Sequence, residues 1–286
     1  MKKINYIFLI LLSIFLLGGC SFNRDNLEDA KIYVTNYPVK YLLDTFYKDH
    51  ATIESIYPSD ADTTTYQLTD KQIKDYSKGQ MFVYNGLTEE KKLAKEFISK
   101  NDNLLIMDVS YGLSLQYSLE ELWLSPNNYL MLAKNVRDNF REYLTNKTIK
   151  EEIENRYNDL AEKLSIMDAD LRSIGKQAKA KNKALIVGSS KAYKYLENYG
   201  FTTVCLDDDT YKDETAIKTL KNNFKNNKYS VLIYDPDDAS DLVQSLISDT
   251  KANNIKLSKM TYGISDEDYI GTMQIFIDSL RNATTN

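Results

Sequence analysis

The sequence predicts an α/β protein: two lobes of parallel, helix-covered sheet joined by one long α-helix. Three observations carry this. From residue 31 onward, short β-branched or aromatic runs alternate with amphipathic helical ones, the signature of strands connected by crossover helices. The alternation occurs twice, separated by a segment with no strand pattern. In that segment Ile149, Ile153, Tyr157, Leu160, Leu164, Met167, Leu171 and Ile174 recur at steps of three or four, one apolar stripe on a continuous helix. Roughly thirty residues at 1.5 Å each make a rod of ~45 Å, longer than one lobe needs.

The elements follow in order. "KIYVTNYPVKYLLDTF" (31–46) reads as a strand, a Tyr-Pro turn and an amphipathic helix. "ATIESIYP" (51–58) is a second strand, closed by Pro58. "DKQIKDYSKG" (70–79) is a helix and "QMFVYNG" the strand after it, then helix "EEKKLAKEFISKN" and strand "NLLIMDVS". Beyond the long helix, "KALIVGSS", "FTTVCL" and "YSVLIYDP" are strands. "SKAYKYLENYG", "DETAIKTLKNNFKNN" and "ASDLVQSLISDTKANN" are the helices between and after them. The N-terminal lobe is thus expected at 30–124, a helical region with the connecting helix at 125–182, and the C-terminal lobe at 183–286.

The chain opens with Lys2 and Lys3, an apolar run from Ile7 to Leu17, and Leu17-Gly18-Gly19-Cys20. This is the charged, apolar and small-residue order of a secretory signal at 1–19, too short to remain as a ~20-residue spanning helix. The last four residues resemble a bacterial lipobox, in which the cysteine is lipidated. Residues 20–29 then form a polar tether, and the domain is expected on the outer face of the cytoplasmic membrane. With Cys20 so used, Cys205 stands alone and no disulfide framework exists within one mature chain. Removing Lys2 and Lys3 takes the net charge from −5 to −7, which argues against a nucleic-acid surface. A monomer is expected.

In open α/β sheets ligands bind beyond the carboxyl ends of the strands. The loops of interest are therefore 58–66, 85–90, 108–123, 187–191, 206–212, 234–240 and 260–266. No Ser/His/Asp set, Cys/His pair, P-loop or GxGxxG occurs, and the one histidine, His50, lies in a charged turn before a strand. An enzyme is not expected. The acidic runs Asp207-Asp208-Asp209 and Asp237-Asp238 offer hard-cation oxygens, or more simply cap the helices that follow.

Four stretches together carry a resemblance: "KIYVTNYPVKYLLDTF", "IYPSDADTTTYQLTDKQIKDYSKGQMFVYNG", "LWLSPNNYLMLAKNV" and "SSKAYKYLENYG". In order and spacing the chain from residue 31 resembles the zinc/manganese ABC-importer solute-binding lipoproteins. That resemblance implies two lobes on a long helix, a metal site in the cleft, and delivery to a membrane permease. It also assigns ligand positions. The family's Asp-Pro-His-x-Tyr loop matches 62–66, so Asp62 and Tyr66 persist while Thr64 stands at the histidine. Glu121 stands at the second histidine, with Trp123 beside it, and Ser190 at the third ligand. The fourth, an Asp or Glu in the family, falls in "KMTYGISDED", where Tyr262 or Gly263 matches as readily as an acid.

Tight zinc sites use thiolates, imidazoles and carboxylates, and manganese accepts imidazole with carboxylate. Of the matched positions Glu121 alone keeps a strong donor. Zinc or manganese is therefore expected to bind weakly, in a pocket lined by Asp62, Tyr66 and Trp123. A non-metal solute, or an adhesion role on the same scaffold without metal, are the alternatives. Thr64 and Ser190 also read as simple helix or turn caps.

Overall fold

The computed structural model describes residues 27–285. The signal, Cys20 and most of the expected tether lie outside the described residues. The N-terminal lobe runs β1 (Ala30–Val34), α1 (Tyr37–Tyr47), β2 (Ala51–Ser55), α2 (Asp70–Tyr76), β3 (Met81–Tyr84), α3 (Glu90–Lys100) and β4 (Leu105–Asp108). Its strands are all parallel, in the order β2-β1-β3-β4. The short α4 (Glu121–Leu124) and α5 (Pro126–Tyr143) lead into α6 (Lys147–Ala180).

The C-terminal lobe repeats the pattern with β5 (Ala184–Val187), α7 (Ser190–Tyr193), β6 (Thr202–Cys205), α8 (Glu214–Lys225), β7 (Val231–Tyr234), α9 (Asp241–Asp249) and β8 (Asn253–Lys256). Its sheet, also parallel, is ordered β6-β5-β7-β8. The expected two-lobed α/β architecture is observed. The chain ends in α10 (Tyr269–Thr285), which the sequence reading did not assign.

Local chemistry explains the boundaries. Asn36 accepts from the Val39 amide at 3.1 Å and Pro38 pre-sets the first turn of α1, as N-caps and N1 prolines do. Thr69 and Gln72 make a capping box on α2, the reciprocal arrangement that satisfies two orphan amides. Ser125 with Pro126 starts α5, and Asn146 starts α6. The central strands "MFVY" and "VLIY" are buried at every residue, because helices cover both faces of a parallel sheet.

The stripe read from the sequence is the buried face of α6. Ile149, Ile153, Leu160, Leu164, Met167, Leu171 and Ile174 are all buried, each contributing about 1.5–3 kcal/mol relative to exposure. Tyr157 is half-buried under the Arg137 guanidinium, 4.2 Å from its ring centre. The rod spans 34 residues, or ~51 Å. One continuous core joins the inner faces of both sheets through α1, α5, α6 and α10. Separate clusters lie between the N-terminal sheet and α2/α3, and between the C-terminal sheet and α8/α9.

Gly175 lets α6 touch the C-terminal lobe. A Cβ there would lie 2.0 Å from the Tyr199 carbonyl oxygen, at a turn where Gly200 takes φ 88°. Neither backbone can yield cheaply. Gly175→Ala is expected to cost about 1–3 kcal/mol by overpacking, read as a lower denaturant midpoint with unchanged slope.

The segment "SKAYKYLENYG" departs from the helix expected. Only Ser190–Tyr193 is α-helical, and Lys194–Tyr199 winds as 3₁₀. Tyr193, Leu196 and Tyr199 sit three residues apart and are all buried, a spacing that aligns on a three-residue turn rather than a 3.6-residue one.

Candidate functional site

The matched loops meet at the carboxyl ends of the strands, and there the two lobes touch. Asp62 and Tyr262 form an antiparallel bridge. The Thr63 amide and hydroxyl both donate to the Thr261 carbonyl at 3.0 Å, and the Gly263 amide donates to the Ala61 carbonyl at 3.2 Å. The Tyr37 amide donates to the Tyr262 carbonyl at 2.9 Å. Gly263 permits this approach: a Cβ would meet the Pro58 carbonyl at 2.8 Å. Sequence reasoning placed Tyr262 and Gly263 in this region but gave no sign that the two loops pair.

The ligand positions are engaged with their own neighbours. The Thr64 hydroxyl and amide both donate to Asp62 Oδ1, at 2.6 and 2.8 Å. Glu121 is 2 % exposed. Its carboxylate accepts from the Gln116 amide and, at 3.2 Å, from the Tyr117 amide. It therefore pins the 110–120 loop to the start of α4. The Ser190 hydroxyl and amide donate to Asp207 Oδ2 at 2.9 and 2.8 Å. The cap of α7 is Ser189, which accepts from the Ala192 amide, so the reading of Ser190 as that cap is corrected. The Tyr262 hydroxyl donates to Glu267 Oε2 at 3.2 Å.

Trp123, a pocket-lining candidate that the sequence reads more simply as a core residue under the cleft, is a core residue. It is 1 % exposed, and its Nε1 donates to the Lys259 carbonyl at 2.7 Å across the lobes. The indole buries its large apolar body and satisfies its single donor, as buried tryptophans do.

Two cavities flank the bridge. One, about 720 Å³, spans the lobes and is lined by Asp60, Asp62, Asp235, Asp237, Asp238 and Glu267, with Lys259 among them. Lys259 pairs with Asp238. Asp235 is buried and accepts the Asp237 and Lys259 amides at 2.9 Å, while desolvation holds its carboxyl above the usual range. The other cavity, about 690 Å³, lies on the N-terminal lobe and includes Thr64, Tyr66 and Glu90. Asp62 thus faces the first cavity, Thr64 and Tyr66 the second, and Glu121, Trp123 and Ser190 line neither. Among the described residues no three His, Cys, Asp or Glu side chains converge in a metal-holding geometry.

His50 sits at the amino end of β2, away from these loops, with Nε2 2.8 Å from Glu152 on α6. Cys205 is half-buried at the end of β6, and burial pushes its thiol up; it is not a reactive thiolate. Among the described residues no helix is long and apolar enough to cross a membrane.

Comparison with known proteins places this arrangement. The manganese ABC transporter substrate-binding lipoprotein PsaA of Streptococcus mitis is 25% identical over 252 residues, covering 80% of each chain. The iron-binding protein YfeA of Yersinia pestis is 25% identical over 191 residues, covering 64% of this chain and 60% of its own. Two solved structures share the fold. The metal-dependent lipoprotein YcdH from Bacillus subtilis has TM-score 0.73 and 22% identity, covering 90% of this chain and all of its own. The Zn(II)-bound ZnuA-like domain of Streptococcus pneumoniae AdcA has TM-score 0.70 and 20% identity, with the same coverages. The family described as zinc-uptake complex component A, periplasmic (ZnuA), matches residues 32–283. The chain belongs to that family of metal-importer solute-binding proteins, which are not enzymes.

Proposed function

We propose that this protein is a lipid-anchored solute-binding component of a zinc/manganese-type ABC importer whose capture of free metal is weak. It works with a membrane permease on the extracytoplasmic face. The single observation carrying the weak capture is the engagement of every matched position. Thr64, Glu121, Ser190 and Tyr262 each spend their polar side-chain atoms on a neighbour. Three of the four offer only neutral hydroxyls, where zinc and manganese sites need imidazole, thiolate or carboxylate.

Binding metal at Glu121 would also strip the Gln116 and Tyr117 amides of their acceptor, at about 1–3 kcal/mol for a buried group left unpaired. Calorimetric titration of the mature protein with zinc and with manganese tests this. Dissociation constants above the micromolar range are expected. A submicromolar zinc site abolished by Glu121→Ala would overturn it.

The lipobox supports the anchoring. Several acyl chains hold a protein to a bilayer where one binds only marginally. Cys20→Ala is expected to release the protein into the soluble fraction, and its retention with the membranes would remove the anchor from this reading.

A further inference from the structure

A second feature of the N-terminal lobe lies in the cavity that Thr64 and Tyr66 face, which neither Glu121 nor Ser190 lines. In the order β2-β1-β3-β4, the chain leaves β1 toward one edge and returns past it to β3. The point between β1 and β3 is therefore the topological switch, where open α/β sheets form a ligand crevice. Glu90, the first residue of α3, is placed there. The Asn85 amide, just past β3, donates to its Oε2 at 2.8 Å. Asp108, at the end of β4, is occupied by the Gly86 and Ser110 amides and the Ser110 hydroxyl at 2.8–2.9 Å.

Glu90 has no counter-ion. Among the described residues no lysine, arginine or histidine pairs with it, and its near neighbour Lys92 is paired with Glu89. Thr35, just past β1, is fully buried, and its hydroxyl lies near the Glu90 carboxyl without reaching hydrogen-bond distance of any partner. Glu90 is half-buried; a partly desolvated carboxyl with no cation carries a cost, and buried hydroxyls are rarely left unpaired. The cavity of about 690 Å³ opens onto this point, walled by Tyr57, Tyr66, Leu68, Ile73, Leu93 and Leu119. Its size is that of a small-molecule site, and its lining mixes these apolar residues with polar and charged ones, Glu89, Glu96 and Lys92 among them.

We propose that this cavity is a second, metal-independent site for a small organic ammonium ion, whose charged nitrogen pairs with Glu90 while its alkyl part lies against Tyr57 and Tyr66. The ammonium supplies the cation that the carboxyl lacks, and an ionised Glu90 is a stronger acceptor for the nearby Thr35 hydroxyl. The two tyrosine rings, 5.7 Å apart and nearly perpendicular, suit an alkylammonium group by cation–π attraction. Desolvation pushes the Glu90 carboxyl up to about 7, with the Thr35 and Asn85 contacts opposing and Asp108 adding to the rise. Binding is therefore pH-dependent: an ammonium ion needs Glu90 ionised and is held better at pH 8 than at pH 5.5.

Calorimetry on the mature protein with n-butylammonium chloride tests the site, with sodium butyrate and 1-butanol as matched anionic and neutral probes. Saturable binding of butylammonium alone is expected, weakening at least tenfold from pH 8 to pH 5.5 and again in Glu90→Gln. Gln67→Trp, an exposed change on the cavity wall, is expected to block it. Zinc titrations of wild type and Glu90→Gln should coincide. Equal binding of butanol, non-saturating heats, or full affinity in Glu90→Gln would overturn the proposal. So would a changed zinc titration in Glu90→Gln, which would move the ammonium into the metal cleft. If Glu90→Gln does not fold, undiminished binding in Gln67→Trp is decisive against it.

Discussion

A chain carrying Thr64→His, Glu121→His, Ser190→Glu and Tyr262→Asp together is expected to bind zinc at least about a thousandfold more tightly than wild type, ~4 kcal/mol. The substitutions replace neutral hydroxyls and a committed carboxylate by two imidazoles and two free carboxylates, the donors that zinc prefers. The gain has a visible cost. Without Glu121 the Gln116 and Tyr117 amides lose their acceptor, so the metal-free variant is expected to be less stable by about 1–3 kcal/mol. Zinc at a hundred times its dissociation constant should return ~2.7 kcal/mol. Chelator-buffered calorimetry and thermal unfolding with and without zinc read both effects. A variant no tighter than wild type would mean that the four positions do not converge.

The second large effect is one of stability and pH. Glu90→Gln is expected to stabilise the metal-free protein by up to about 3 kcal/mol at pH 8, and by little at pH 4. The sign follows from linkage. Burial raises the folded-state carboxyl from 4.5 to about 7, so between those values the folded state holds more protons than the unfolded one. Wild-type stability is therefore fully present below about pH 4.5 and declines as pH rises to about 7, at ~1.4 kcal/mol per pH unit. Glutamine keeps an acceptor for the Asn85 amide and never ionises, so its stability curve lacks that decline. Urea midpoints across pH 4–8 measure the difference, and parallel curves for the two proteins would refute the buried charge.

Much of the architecture was legible because it rests on local periodicity. The long helix, expected near 149–178, runs from Lys147 to Ala180, six strands fall within the runs read as strands, and β1 starts one residue before its run. The eighth, "NNIK", was not legible. It is an edge strand with only Ile255 buried, so it carries neither alternation nor an apolar run.

At the candidate site, the resemblance supplied positions but not side-chain states. Nothing in a linear sequence says that Glu121 faces the Gln116 and Tyr117 amides instead of a cleft, or that Trp123 reaches Lys259 in the other lobe. Loop 85–90 was among those of interest, yet Glu90 reads locally as an ordinary acid in the first turn of a helix, where the dipole favours it. Its lack of a cation is a property of the packed lobe, visible only once Thr35, Asn85 and Asp108 are brought beside it.

The last helix has a consequence for how the chain is made. Asp268 accepts from the Tyr41 hydroxyl at 2.8 Å, and the Tyr269 ring lies 4.0 Å from that of Tyr129. Met273, Phe276, Ile277 and Leu280 then complete the core shared by both sheets. The start of this helix thus covers Tyr41 and Tyr129, which precede it by more than a hundred residues. As the chain grows from its N-terminus, these side chains wait for their cover until the second lobe has been made. Early termination near residue 265 would accordingly uncover Tyr41 and Tyr129 as well as the core of the second lobe.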